Sequence, residues 1–355
     1  MSLTIENNIL MKNGKPFFYL ADTCWSAFTN IKDNDWDYYL DYRKSQGFNT
    51  LQINILPQWD ASATDLCYEP FEVIDGKYNY KKLNLSYFEH ADKMCARAKE
   101  KGFELALVIM WCNFVPDTWA SQFYSKGIMP IDCIDNYINI IHETFTLYII
   151  SGDTDFNTEQ CIEYYVKCAK QIKELAPNCL YTTHIKGRYT YIPDNLYSYL
   201  DLCFYQSGHN AQNLGMPYLL AEEMADKYKG KPVINSEPCY EDMGYSRQMY
   251  GRWSKEDIIR AAWMSLLSGA SAGITYGAAG IYSWHTTNKG FEASLGEGFA
   301  TPKCWQQALC FEGAWDYGYI KYIFETYDLY GLKAIQELLV KENPEIRIAR
   351  KDDKI

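Results

Sequence analysis

FFYLADTCWSAFTNIKDNDWDYYLDYRKSQGFNTLQINILP, residues 17–57, holds one β–α–β unit. Phe17–Leu20 is a short apolar run, and Thr50–Leu56 is a second, stopped by Pro57. Between them Asp35–Gln46 has the length and apolar spacing of an amphipathic helix. Gly47 closes it, because glycine alone enters the left-handed region past a helix end without cost. Apolar run, amphipathic segment, apolar run is the signature of a parallel sheet with crossover helices.

The same alternation continues outward. Further strands are predicted at Leu105–Met110, Thr146–Ile150, Leu180–His184, Leu200–Tyr205, Pro232–Asn235 and Gly273–Tyr276. Helices are predicted at Ser86–Lys101, with Ser86 as N-cap and Gly102 after its end, and at Ile131–His142. Others are expected at Thr158–Leu175 before Pro177, at Pro217–Tyr228 before Gly230, and at Ser254–Leu267 with Ser254 as N-cap. Gln58–Leu83 reads as a long loop, a length that often carries function. Trp305–Tyr322 and Tyr327–Lys341 read as terminal helices, and Ile346–Ile355 as the start of a strand leading outward.

Eight strands in strict alternation fit an α/β fold of (β/α)8 TIM-barrel type in a single domain. An open doubly wound sheet fits less well, because no G-x-G-x-x-G or phosphate loop follows the first strand. The expected organisation is a lead-in over residues 1–16, a catalytic barrel over 17–300, and C-terminal helices and a tail packing on the barrel over 301–355.

A formal net charge of −11 argues against nucleic acid, which needs a basic surface. No apolar stretch is long enough to span a membrane, and Met1–Leu10 lacks the charged-then-apolar pattern of a signal peptide. The 12 cysteines contain no C-x-x-C pair, so a zinc ribbon or redox motif is not expected. Scattered cysteines read as reduced thiols and favour a cytoplasmic location. Met1-Ser2-Leu3 resembles an expression leader, which leaves a removed signal peptide open. The sequence does not indicate an oligomeric state.

In a TIM barrel, chemistry sits where strands end. There the sequence places Asp22 and Trp25, then Gln58, Trp59 and Asp60, then Trp111 and Asn113, then Asp153 and Asp155. Tyr205, Gln206, Ser207 and His209 follow the sixth strand, Glu237 and Glu241 the seventh, and Tyr276 and Trp284 the eighth. Acids, amides and aromatics with almost no Lys or Arg suit a neutral carbohydrate and not a phosphate. Glycoside hydrolysis needs one protonated and one ionised carboxyl group flanking the scissile bond. Asp153 and Glu237, on strands four and seven, stand on roughly opposite sides of the barrel mouth.

Several motifs occur in order: Asn13-Gly14-Lys15-Pro16-Phe17, Ala21-Asp22-Thr23-x-Trp25, Gly47-Phe48-Asn49 and Ser151-Gly152-Asp153. Gln206-Ser207-Gly208-His209, Lys231-Pro232-Val233 and Glu237-Pro238-x-Tyr240-Glu241 follow. Together they resemble the apiosidase-like (DUF4038) glycoside hydrolases, family 140, of the retaining clan whose acids follow strands four and seven. The resemblance implies Asp153 as acid/base and Glu237 as nucleophile. Ser151 stands where that pattern has glycine, and Asn235-Ser236 where Asp-Gly is common.

Blander roles compete with these. Asp153 or Asp155 can cap the helix at Thr158, and Asp155 is a rival acid. Glu237 can be an ion-pair partner, and Asp22 a loop cap. Trp59, Trp111 and Trp284 can stack on sugar or fill the core. His209 is one of five histidines, and His142-Glu143 lacks the second His of a zinc motif, so no metal and no cofactor are expected. The favoured function is a retaining, exo-acting glycosidase on a plant-derived oligosaccharide, its carboxyl groups about 5–5.5 Å apart. An endo-β-glucanase-like enzyme with an open groove, a non-catalytic carbohydrate-binding barrel, and a metal-dependent barrel enzyme are the alternatives.

Overall fold

Eight parallel strands form one sheet that curls almost into a closed barrel in a computed structural model. It describes residues 3–141, 147–291, 297, 299–341 and 343–355. The strands are β1 Tyr19–Thr23, β2 Thr50–Asn54, β3 Glu104–Trp111 and β4 Leu147–Gly152. They continue with β5 Leu180–Thr182, β6 Cys203–Tyr205, β7 Val233–Asn235 and β8 Gly273–Tyr276. Neighbours run β5-β4-β3-β2-β1-β8-β7-β6. At the seam, the Asp201 N–H donates to the Tyr181 carbonyl at 2.8 Å, and the Asp201 carboxylate accepts from the Tyr181 N–H at 2.9 Å. Every strand residue except Leu180 is buried, as a sheet covered by helices on one face and filled by side chains on the other requires.

The helices cover the barrel through one face each. Leu85–Glu100 buries Tyr87, Phe88, Ala91, Met94, Cys95 and Ala98, a run with the helical period. Glu159–Leu175 buries Cys161, Tyr164, Tyr165, Cys168, Ala169 and Ile172 the same way. Thr158 caps that helix by accepting the Cys161 N–H at 3.2 Å, so neither Asp153 nor Asp155 is needed for the task. Ser254 and Asp257 form a reciprocal capping box at the start of Lys255–Leu266.

Five expectations need correction. The stretch Gln58–Leu83 is not all loop, because Phe71–Ile74 and Lys77–Leu83 pair as an antiparallel hairpin. Its turn is Asp75-Gly76, both with positive φ (50° and 76°), the hairpin chemistry that twist favours. Asn84, not Ser86, precedes the next helix, and the Ser86 hydroxyl donates to the Asn84 side chain at 2.8 Å. The segment from Ile131 begins as a 3-10 turn and is α-helical only over Ile134–Ile138; His142, Glu143 and Thr146 lie outside the described residues. Finally, Tyr327–Lys341 is not a helix. Asp328 and Gly331 take positive φ, which breaks helical backbone, and Lys333–Ala334 instead pairs with Ala349–Arg350 in the tail. The predicted helix Trp305–Tyr322 is split into Trp305–Leu309 and Gly313–Thr326.

Candidate active site

The loops that follow all eight strands meet around one cleft, partly open to solvent. Trp25 comes from the loop after β1, Trp59 and Asp60 after β2, Trp111 and Trp119 from β3 and its loop, and Asp153 after β4. Lys186 and Arg188 follow β5, Gln206 and His209 follow β6, Glu237 and Arg247 follow β7, and Tyr282 follows β8.

Glu237 stands at the floor. Its Oε1 accepts from Gln206 Nε2 at 2.8 Å and lies 2.8 Å from His209 Nε2. Its Oε2 lies 3.1 Å from His184 Nε2. Burial pushes the Glu237 carboxyl up, but the hydrogen bonds from His184 and His209, the largest opposing causes, outweigh it and hold it at about 2. Glu237 is therefore a carboxylate at any ordinary pH. No Lys or Arg bonds it among the described residues, so its charge is held by ring and amide N–H groups and stays available.

Asp153 is the opposite case. Burial raises its carboxyl well above the usual carboxylate range, and the charges of Glu237, Glu297 and Asp60 add to this while Lys186 opposes it. Its φ of +51° is a strained conformation that Asp tolerates and that turns the chain sharply at the end of β4. Gly152 makes this possible: a Cβ there would lie 2.1 Å from the Trp111 ring. The Asp153 carbonyl accepts from Trp119 Nε1 at 2.8 Å, and its N–H donates to His184 Nδ1 at 3.3 Å. With Nδ1 accepting, His184 carries its proton on Nε2 and donates it to Glu237. One imidazole thus braces both acids, itself held between Trp25 and Trp111 with ring centroids 5.5 Å away on each side.

Asp155, the rival acid, is paired with Lys186 at 2.9 Å and does not line the cleft. Trp25, Trp59, Trp111, Gln206 and His209 do line it. Seven other residues expected at the site are not brought to this cleft. Asp22 is fully buried on Arg43 at 2.5 Å and on the Tyr39 hydroxyl at 2.7 Å. Glu241 accepts from the Tyr276 hydroxyl at 2.6 Å and the Gly313 N–H at 3.2 Å, so both side chains are spent on the helix at Gly313. Tyr205 donates to the Pro217 carbonyl, Trp284 stacks on Trp305 at 4.5 Å, and Asn113 reaches the Pro57 carbonyl. Ser207 accepts from Asn235 and faces a smaller neighbouring hollow. Strand-end position alone does not reveal which way a side chain points.

Sequence reasoning placed Asp60 on the rim without giving it a role, and missed Trp119, His184, Lys186, Arg188, Arg247 and Tyr282. His184 ends the predicted fifth strand, so the strand-end rule applied there finds it. Lys186, Arg188 and Arg247 correct the expectation of a rim nearly free of cations. Arg247 lies beyond any strand-end window, and Tyr282, between Tyr276 and Trp284, carries no local signal of its own.

Many polar atoms of the cleft have no protein partner. Gln58 Nε2, Trp111 Nε1, Arg188 Nε, Gln206 Oε1, Asn210 Nδ2 and the Tyr282 hydroxyl are buried and unpaired, and all six residues line the cleft. Buried polar groups are normally satisfied, so this density marks a site built for a ligand rich in hydrogen-bonding groups. Among the described residues, no three His, Cys, Asp or Glu side chains are grouped to hold a metal ion. None of the described helices is long and apolar enough to cross a membrane.

Comparisons with known proteins agree with this fold. No curated protein sequence matches. A solved structure titled a glycoside hydrolase superposes with a TM-score of 0.78 at 23% identity, over 96% of this chain and 78% of that one. A family 5 glycoside hydrolase from Bacteroides vulgatus gives 0.79 at 24% identity, over 96% and 75%. The endo-beta-1,4-mannanase from Thermotoga petrophila gives 0.54 at 16%, over 87% and 77%. At these identities the likeness shows the barrel fold. The sequence profile of the apiosidase-like catalytic domain matches residues 5–331. The chain therefore belongs to the apiosidase-like catalytic-domain family and is a glycosidase.

Proposed function

We propose that this protein is a retaining, exo-acting glycosidase of the family-140 type, acting on a plant-derived oligosaccharide that carries an acidic group. One observation supports the two-carboxylate reading above others: Glu237 is held at about 2 and Asp153 is pushed well up within the same cleft. Two carboxyl groups displaced in opposite directions are an acid and a nucleophile. Glu237 attacks the anomeric carbon while the glycosidic oxygen takes the Asp153 proton and leaves. Water then attacks that carbon, gives its proton to Asp153, and Glu237 departs. A non-catalytic carbohydrate-binding barrel gives no reason for this separation.

Exo action is supported by the ring of loops, since lining from all eight strands favours a pocket over an open groove. The acidic group follows from the cations. Lys186 is neutralised by Asp155, but Arg188 and Arg247 lie close enough for Arg247 to lower the Arg188 pKa, behind the larger effect of burial. Arg188, Arg247 and Glu297 all line the cleft, two cations to one carboxylate, and a sugar carboxylate can complement the excess.

The test is a screen of aryl glycosides and of neutral and acidic plant oligosaccharides, with proton NMR of the first-formed product. Expected are single sugars released with retained anomeric configuration, and faster cleavage of acidic oligosaccharides. Inverted product overturns the retaining mechanism, a ladder of internal fragments supports the endo reading instead, and no turnover of any glycoside favours a binding barrel.

A further inference from the structure

Asp60 is a third carboxyl group in the cleft, and the mechanism above gives it no work. It is 9% exposed, and no side chain among the described residues hydrogen-bonds it. Two unpaired groups share its cleft. Gln58 Nε2 is free because Asn54 donates to the Gln58 oxygen at 2.9 Å, and the Tyr282 hydroxyl is buried with no partner. The loop holding Asp60 is fixed. The Ser62 N–H donates to the Ser283 carbonyl at 3.0 Å, the Ser62 hydroxyl lies 3.0 Å from His285 Nδ1, and Asn30 Nδ2 donates to the Ser62 carbonyl at 2.7 Å. On the other side, Trp59 packs edge-on against Trp119, whose Nε1 holds the Asp153 carbonyl. Asp60 and Tyr282 are thus braced against each other across the loops after β2 and β8. A rigid set of unpaired donors and acceptors is what orients a bound group within a fraction of an ångström.

We propose that Asp60, with Gln58 and Tyr282, seats the sugar that Glu237 attacks, and that Asp60 binds the hydroxyl next to its anomeric carbon. The inference rests on the two-carboxylate reading. Asp60 and Glu237 line the same cleft, so a sugar whose anomeric carbon meets Glu237 extends past Asp60, and the hydroxyl next to that carbon is the one assigned to it. Hydrogen bonds to that hydroxyl strengthen as the ring gains positive charge. Burial and the Glu237 charge push the Asp60 carboxyl to about 7, so near neutrality it can both donate to and accept from a hydroxyl. The donor sugar must then keep that hydroxyl free.

The experiment compares the 4-nitrophenyl glycoside that the protein cleaves fastest with its 2-deoxy counterpart. Asp60→Ala is expected to lower kcat/KM for the parent about 10- to 100-fold and for the 2-deoxy substrate less than about threefold, since the lost contact is then absent from both. Asp60→Asn should recover part of the loss, and Tyr282→Phe should follow the same pattern more weakly, covering the case in which an Asp60 variant folds poorly. Equal loss on both substrates overturns the hydroxyl contact. A loss that disappears with activated leaving groups overturns it too, because Asp60 is then an acid. Glu237→Gln is run in parallel: activity there sinks the two-carboxylate reading, whereas an inactive Glu237→Gln with equal Asp60→Ala losses sinks only the Asp60 assignment.

Discussion

Two of the buried carboxylates in this barrel differ in what holds their charge, and the mechanism proposed above uses only one of them. Asp22, at the end of β1, meets Arg43 from the helix Asp33–Ser45 at 2.5 Å, with both side chains fully buried. Burial still raises the Asp22 carboxyl, and Arg43 and Tyr39 only partly offset it. Glu237, just past β7, is almost as buried, yet its partners are Gln206, His209 and His184. In the first cluster a permanent cation cancels the charge inside the protein. In the second the charge is solvated by N–H groups and left facing a cleft. The nature of the partner, more than burial or strand position, separates an internal brace from a carboxylate available to a ligand.

The largest effect is expected from Glu237→Gln, which should lower kcat by about 10^4-fold or more while the protein stays folded. Asp153→Ala comes next. It should cost about 10²- to 10⁴-fold on substrates with poor leaving groups and far less on activated aryl glycosides, which depart unprotonated. Equal losses on both substrate types would make Asp153 structural.

Arg43→Met should behave in the reverse manner. Stranding Asp22 without its counter-ion should cost about 3–5 kcal/mol of stability in denaturant titrations, with kcat of the folded protein little changed. A collapse of kcat without loss of stability would erase the distinction between the two clusters.

Smaller effects follow from pH. Glu237 has a folded pKa below its ordinary 4.5, so its network stabilises the fold above that value and loses the contribution as pH falls toward about 2. Asp153 is raised, so its ionised form is disfavoured in the fold, and the cost grows above its ordinary value of 3.8. Asp153→Asn should therefore raise neutral-pH stability by about 0.5–2 kcal/mol while impairing turnover. Glu237→Gln should shift the Asp153 titration, followed by carboxyl NMR, to lower pH, because one of the charges raising it is gone. An unmoved titration would mean that the two carboxyls do not interact.

Much of the fold was legible because local rules agree along the chain. The spacing of Tyr87, Phe88, Ala91 and Met94, the Ser254–Asp257 cap and the apolar runs of β2 and β3 each say the same thing as the tertiary structure. The failures sit where local signals are weak. Tyr327–Lys341 is aliphatic and aromatic enough to read as helix, but left-handed Asp328 and pairing with the tail decide otherwise. The Asp75-Gly76 turn was a readable hairpin signal inside an apparent loop.

Sequence alone determined the alternation of strands and helices, and it placed Asp153 and Glu237 at the ends of their strands, because periodicity and strand ends are local properties. It could not determine side-chain direction. Only the tertiary structure turned Asp22, Glu241 and Tyr276 into the interior, brought Arg188 and Arg247 to a rim that looked free of cations, and set His184 between the two acids. The opposite displacement of the Asp153 and Glu237 carboxyl groups arises there too: a pKa depends on the few ångströms of space around a group, and that space is filled by residues far away in the chain.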